Sequence, residues 1–409
     1  MAISLSNKGR VAIKQQASWG TAQTSFASTN YLEIEAPFVP TLARETIRMN
    51  TFRPGFTEAE IIAGSKSPTE LTFRFPMHGW SSSASPTTDP TIFPDALLIK
   101  TVLGSASADA YTTALASTST ASVIKITNGS ADTAWRGYAQ LIPHASGYDV
   151  GWIQNVDTTV APDTESLLAS IPHTPSSSGT LYGSLVAYLS TETQLPLTFD
   201  YLGSDSSAHV RFYDGLPTSV RINIAAKQVP MVEVTVRFLN WTNVGTGGAP
   251  TDATYAYPML PATIGANGSY FQESNQDFCA ATVTVTMTQE LSEVECTNSS
   301  QGVSELVATN RNVTVEIVRT QNSLENLGLD GLQNTAGSID VDPIQLNVAT
   351  NTPGRALSIL IPAAVILEQP TLQDLGGKVA TRLLLGCTPY TGDTGSTAPA
   401  DTPFRIAWL

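Results

Sequence analysis

In the stretch "SVRINIAAKQVPMVEVTVRFLNW", residues 219–241, apolar and polar side chains alternate on both sides of a short polar turn. Val220, Ile222 and Ile224 fall on one side, and Val232, Val234, Val236 and Phe238 fall on the same side of the return. A period of two belongs to a β-strand with one face buried, so this stretch predicts a half-buried hairpin. The pattern recurs. "ATVTVTMTQE" (281–290) sets Val283, Val285 and Met287 inward and Thr282, Thr284, Thr286 and Thr288 outward. "ELTFRFP" (70–76) sets Leu71, Phe73 and Phe75 against Glu70, Thr72 and Arg74. "NYLEIEA" (30–36) sets Leu32 and Ile34 against Tyr31, Glu33 and Glu35, and "NVTVEIV" (312–318) alternates likewise. The chain is therefore expected to be all-β, with short helices at "FPDALLIKTVLG" (93–104) and "NSLENLGLDGLQ" (322–333).

One order of elements occurs twice. Glu60-Ile61-Ile62-Ala63 aligns with Glu305-Leu306-Val307-Ala308, Lys66 falls on Arg311, and Leu71-Thr72-Phe73 falls on Val313-Thr314-Val315. Each half reads strand, long loop, strand, helix, then two strands, which predicts a duplicated β-sandwich or barrel module. The first module covers 1–104 and 191–242, with a polar arm at 1–28 and a loop without strand period at 37–68. The short apolar runs of 105–190, split by Gly, Ser, Thr and Pro clusters, predict a small β-domain inserted into that module. Residues 243–275 read as a connector. Residues 276–409 form the second module, closed by strands in "GRALSILIPAAVIL", "GGKVATRLLLGC" and "TPFRIAWL".

Composition narrows the function. Only 14% of the 409 residues are charged and the net charge is −14, which disfavours wrapping nucleic acid through its phosphates. The three cysteines, Cys279, Cys296 and Cys387, read as free thiols in or near the core, with a Cys279–Cys296 bridge as the alternative. His78, His144, His173 and His209 lie apart in sequence and predict no metal site. Asp340 and Asp342 read as turn or surface carboxylates. No nucleophile elbow, zinc-protease helix, phosphate loop or paired Cys motif occurs, so an enzyme is not expected and no cofactor is implied. The start, "MAISLSNKGRVAIKQQ", lacks the apolar run of a signal peptide, and "ALSILIPAAVIL" is too short to span a bilayer. The expectation is a chain kept in the cytosol or assembled there into something larger, with no membrane partner.

Several segments together resemble the tail tube proteins (major tail proteins) of long, non-contractile tailed bacteriophages. They are "AIKQQASWGT", "RETIRMNTFRPG…AGSKSPTELTF", "GLPTSVRINIAAKQVPMVEVTVRFLNW" and "RALSILIPAAVILEQPTLQDLGGKVATRLLL…TPFRIAWL". Residues 120–190 resemble the small β insertion of some members. The resemblance implies a structural virion protein of the tail, assembled in the host cytoplasm. It would self-assemble into stacked rings whose strands form a continuous inner β-barrel, enclosing the tape-measure protein and passing double-stranded DNA at ejection. Tail-tip and terminator proteins are implied partners. With a duplicated module, three chains would close a pseudo-sixfold ring; without it, six would. Lumen-facing candidates are then Glu33, Glu35, Glu70, Thr72, Asn223, Glu233, Thr235, Thr282, Thr284, Thr286, Thr314 and Glu316, with Arg74, Arg221 and Arg237 on the same face. Inter-ring candidates are Arg44, Arg48, Arg53 and Lys66 in the first long loop and Glu293, Glu295, Glu305 and Arg311 in the second. The alternative is a decorating or adhesive β-sandwich of a capsid or tail that binds a receptor or glycan.

Overall fold

The computed structural model describes all residues except 1–9, 36–37, 39, 43, 50–59, 67–68, 81–88, 117, 128, 204–208, 246–254, 274–275, 300–301, 321–341, 369 and 394–398. The chain opens with β1 (Arg10–Gln15), β2 (Tyr31–Leu32), β3 (Arg44–Met49), β4 (Glu60–Lys66) and β5 (Thr69–Pro76). Helix α1 (Pro94–Leu103) leads into β6 (Gly104–Ala114), β7 (Val123–Ile126), β8 (Ala139–His144), β9 (Gly147–Asp157), β10 (Asp163–Leu167) and β11 (Thr180–Leu189). Then come β12 (Leu197–Leu202), β13 (His209–Ala225) and β14 (Met231–Asn243). The second half holds β15 (Tyr270–Glu273), β16 (Gln276–Phe278), β17 (Ala280–Glu295), β18 (Val303–Thr320) and β19 (Asp342–Val348). It ends with β20 (Leu357–Ile366), β21 (Thr371–Asp374), β22 (Val379–Cys387) and β23 (Arg405–Trp408). Among the described residues the fold is all-β apart from α1 and short 3-10 turns. No helix among the described residues is long and apolar enough to cross a membrane.

The main sheet runs β5–β14–β13–β17–β18–β22–β21, antiparallel throughout. Its buried face is the one the alternation predicts. Leu71, Phe73 and Phe75, then Val232, Val234 and Val236, then Val220, Ile222 and Ile224 are at most 3% exposed. Val283, Val285 and Met287 continue that face and are fully buried. Each such side chain contributes about 1.5–3 kcal/mol by leaving water. α1 packs beneath this face against β13 and β17. The helix is buried all round rather than amphipathic, because a second layer covers its other side. That layer includes β19–β20–β23–β11–β6 and β1–β12. Gly104 ends the helix at φ 111°, and a Cβ there would lie 2.3 Å from the Ser190 carbonyl oxygen.

Several expectations are corrected. The 1–28 arm contains β1, which pairs with β12 and buries Val11 and Ile13. Residues 33–35 are not strand, and Tyr31 is buried. The 37–68 loop holds a β3–β4 hairpin, and its counterpart at 291–312 is the hairpin end of β17 and β18. The 243–275 connector includes β15, which pairs with β19. β20 and β22 are not mainly each other's partners; they touch only at residues 364–366 and 385–387. All three cysteines are free, and Cys279 is exposed rather than in the core. The predicted helix at 322–333, like Asp340, lies outside the described residues.

The 105–190 region has a core of its own, around Ile124, Ile126, Trp135, Ile142 and Ile153. It is not a detached domain, however. β11 pairs with β23, and Tyr138, Leu141, Val150 and Trp152 share a second core with Ala356, Leu360, Ala407 and Leu409. Trp152 Nε1 donates to Ser358 Oγ at 2.9 Å, and Ser358 Oγ donates to Asn347 Oδ1 at 2.6 Å. Trp152→Ala should therefore cost about 3–5 kcal/mol, measured as a lower urea midpoint that also loosens the C-terminal strands in hydrogen exchange.

Glu165 sits fully buried on β10 of this region. Its Oε2 accepts from Gln140 Nε2 at 2.6 Å, and burial pushes its carboxyl up to about 8 from an ordinary 4.5. Burial, helped by Asp132, also raises Asp109, to about 6. Between pH 4.5 and 8 the folded chain keeps the Glu165 proton and the unfolded chain does not. Stability should therefore fall as pH rises through that window. Glu165→Gln, which keeps the shape and the hydrogen bond, should flatten the dependence and raise stability at pH 8 by about 1–3 kcal/mol, as measured by urea unfolding at pH 5.5 and pH 8.

Candidate functional surface on the main sheet

The pairing registers convert the polar half of the alternation into continuous cross-strand rows. One row runs Thr72, Thr235, Ser219, Thr288, Asn312 across β5, β14, β13, β17 and β18. The next runs Arg74, Glu233, Arg221, Thr286, Thr314 and reaches Gly386 on β22. A third runs Asn223, Thr284, Glu316, Leu384, and a fourth Thr282, Val318, Arg382. Glu70 faces Arg237 at the β5–β14 border. Thr72 Oγ1 and Thr235 Oγ1 bond each other across β5 and β14 at 2.9 Å.

Of the lumen-facing candidates, all but Glu33 lie on or beside this one face. Glu35 joins it from outside the sheet: its N–H donates to the Arg74 carbonyl at 2.6 Å, and its carboxylate lies 3.3 Å from the Arg74 guanidinium. Glu33 does not join; its charge acts on His78 and Tyr255 instead.

Three arginines on this face, Arg74, Arg237 and Arg382, are held by acids of the same chain. Arg74 lies between Glu35 and Glu233, the latter at 3.5 Å. Arg237 pairs with Glu293. Arg382 bonds Glu316 at 2.6 Å and lies 3.9 Å from Glu368, and the Glu316 hydrogen bond raises its guanidinium further. The acids named on or beside the face, Glu35, Glu70, Glu233, Glu293, Glu316 and Glu368, outnumber its arginines, Arg74, Arg221, Arg237 and Arg382, so a modest acidic excess remains after pairing. Arg382 was hidden because Leu384 and Gly386 beside it break the polar alternation of β22. Glu293 was hidden because its partner lies two strands away.

The inter-ring candidates separate. Glu293 is engaged with Arg237 on its own chain. Arg311 Nη1 and Nη2 donate to the Ser190 and Glu192 carbonyls at 2.5 and 2.9 Å, and burial depresses its guanidinium. Both groups therefore brace the chain internally. Glu305 opposes Val294 on the hairpin end of β17 and β18, and Glu295 opposes Val303 there. Arg44 faces Lys66 along the β3–β4 backbone, with Arg48 opposite Ile61. Arg53 lies outside the described residues.

The structure also corrects the isolation of the histidines. His78 bonds Asp95 and His209 bonds Asp200 in the interior, at 3.0 and 2.9 Å. His144 and His173 stack on each other beside Asp149. Burial pulls His78 down, but the charge and hydrogen bond of Asp95 outweigh it and leave its pKa raised. Comparison with protein-family models and with curated proteins finds no match for the chain.

Glu233→Lys removes one partner of Arg74 and places a third cation in register between Arg74 and Arg221. The pairs are half-exposed, so the cost should be small, about 0.5–1 kcal/mol. It should shrink as added salt screens the repulsion. Thr284→Lys, which opposes Glu316, should be neutral within about 0.5 kcal/mol. Urea unfolding at low and high ionic strength distinguishes the two.

Proposed function

We propose that the chain is a structural self-assembling protein, a duplicated tail-tube module whose main sheet joins those of other copies in a ring. One observation carries the reading. The main sheet has a dry face, a polar hydroxyl-rich face and, among the described residues, an end strand on each side, β5 and β21, with a single strand partner, the outer edge of β5 being met by Glu35 at Arg74. A long sheet with open edges is a template for further pairing, and joining the edges of several copies would close it into a barrel.

The β21 end carries the marks of a contact. Leu372 is 64% exposed and Val379 58% exposed, and Leu367 and Leu375 are exposed beside them. These apolar side chains cluster on one small hairpin, whereas scattered exposure would need no explanation. The hairpins β3–β4 and 291–308 support the duplication: the sequence echo of Glu60–Ala63 and Glu305–Ala308 falls on the return strand of each. The adhesive alternative draws less support. None of the six tryptophans is exposed, so they form no aromatic platform for a sugar.

The purified chain, viewed by negative-stain microscopy across a concentration series, should form rings or hollow tubes. Native mass of the rings decides between three and six copies. Leu372→Asp with Val379→Asp should leave a folded monomer that no longer assembles. A wild-type chain that stays monomeric at all concentrations, or a double variant that assembles normally, overturns the reading.

A further inference from the structure

We propose that His144, Asp149 and His173 form a binding site for one divalent transition-metal ion of the Zn2+ class. The hairpin β8–β9 turns through Ala145 and Ser146, which sets His144 at the end of one strand and Asp149 early in the next. His173 arrives from the segment between β10 and β11, and Pro175 bridges back to His144. One nitrogen of each imidazole and one Asp149 oxygen lie within 4.8 Å of one another. His173 Nδ1 is 3.0 Å from Asp149 Oδ1, and His144 Nε2 is 3.8 Å from the same oxygen. Tetrahedral ligation at about 2.0–2.1 Å brings ligand atoms to roughly 3.3 Å apart, so the donor spacing needs only a small contraction, together with a turn of one imidazole.

Asp149 gives the site its charge. Its side chain is 1% exposed, and its backbone anchor is the His173 N–H, which donates to Oδ2 at 3.1 Å. Among the described residues, its side-chain partners are the two imidazoles. The carboxylate is therefore fixed in place before any ion arrives. A bound cation would balance the charge of this buried carboxylate.

The second ligand has to change tautomer: the Ser146 N–H donates to His144 Nδ1 at 3.3 Å, and ligation through Nε2 moves the ring proton to Nδ1, where Ser146 Oγ, also at 3.3 Å, accepts the hydrogen bond. The rings stack at 4.2 Å with 10° between their planes, and two parallel rings cannot both hold one ion in plane. His173, whose side chain is 54% exposed, is the member free to swing. The site opens into a cleft of about 330 Å³, with Asp277 and Asn351 on its far side. Three protein ligands leave a fourth position facing that cleft for water or a further ligand. Two nitrogen donors favour Zn2+, Co2+, Ni2+ or Cu2+ over Mg2+ or Ca2+. The ion would tie the β8–β9 turn to the segment at 173, whatever the chain assembles into.

The full chain, titrated with Zn2+ by calorimetry and with Co2+ by visible absorption, should bind one ion per chain with a micromolar or tighter Kd and show no response to Mg2+. His173→Ala, at a half-exposed position where folding is preserved, should weaken binding by at least about 100-fold. Cys279→Ser, which removes the exposed thiol, should leave binding unchanged. No saturable binding at sub-millimolar metal, binding that survives His173→Ala, or binding lost with Cys279→Ser would each overturn the assignment.

Discussion

Every strand of the main sheet has to hold one register, because a slip of one residue would turn its valines into water and its threonines into the core. The cost of such a slip is large. Three or four fully buried apolar side chains per strand, at about 1.5–3 kcal/mol each, would be lost together. That constraint orders the rest of the molecule. It fixes which residues share the polar face, and it fixes α1 against β13 and β17. It also dictates where the sheet may bend. β13 and β14 leave the main sheet at a register shift between Pro217 and Ser219 and continue as partners next to β12. Gly215 sits at that passage because a Cβ there would lie 2.2 Å from the Phe238 ring. Asp214, at φ 57°, accepts there from Gln16, Gly20 and Asn240 and so ties in the chain's first segment.

The elements legible in the sequence are those with one dry and one wet face. β5, the upper half of β13, β14 and most of β17 and β18 write their burial directly as alternation, and the predicted hairpin and inward residues stand in the structure. The β3–β4 hairpin and the far end of β17–β18 were illegible for the matching reason. At the far end of β17–β18 the strands shift register between Glu290 and Leu291 and between Val294 and Glu295, so Leu291, Val303 and Leu306 reach Leu216 and Leu239 without keeping a period of two. β1 was lost in a polar segment because its core contribution is only Val11, Ala12 and Ile13. The polar-face candidates were recovered by the same logic, since all but Glu33 and Glu35 follow from parity along the strand. Pairings between strands could not be recovered. Arg237–Glu293 and Arg382–Glu316 depend on which strand lies beside which, and no local pattern encodes that. The His144–Asp149–His173 cluster failed likewise: the two imidazoles meet only because the segment after β10 folds back onto the β8–β9 turn.

The polar face is built to be chemically quiet. Thr72 and Thr235 bond each other across strands, and the guanidiniums of Arg74, Arg237 and Arg382 are paired with Glu35, Glu233, Glu293, Glu316 and Glu368. A polyanion binds a surface by displacing its own counterions with fixed cations, and each phosphate so neutralised adds about 0.9 to the salt slope on double-stranded DNA. A guanidinium already paired with a carboxylate gives little of that return, because the pair must first be broken. Under the proposed reading, a face that must pass DNA without holding it is better served by paired arginines than by none. The arginines also anchor register: Arg74 and Glu233 sit directly opposite each other, so a slip of either strand breaks the ion pair along with the apolar contacts.

The region from 105 to 190 bears on how such a chain could tolerate an addition. A domain joined only by its two ends would move independently of the rest. Here its outer strands β6 and β11 extend the second layer, and β23 from the far end of the chain pairs with β11. The bond from Trp152 to Ser358, and from there to Asn347, carries the connection through to β19 and β20. The two halves are therefore linked twice: once through β13–β17 in the main sheet and once through β11–β23 behind it. Two links on opposite sides of one core oppose hinging of the halves about either, so the polar face of β5, β14 and β13 runs on into that of β17, β18 and β22. An element that looks like an accessory in the sequence thus helps keep the two halves of the main sheet a single surface.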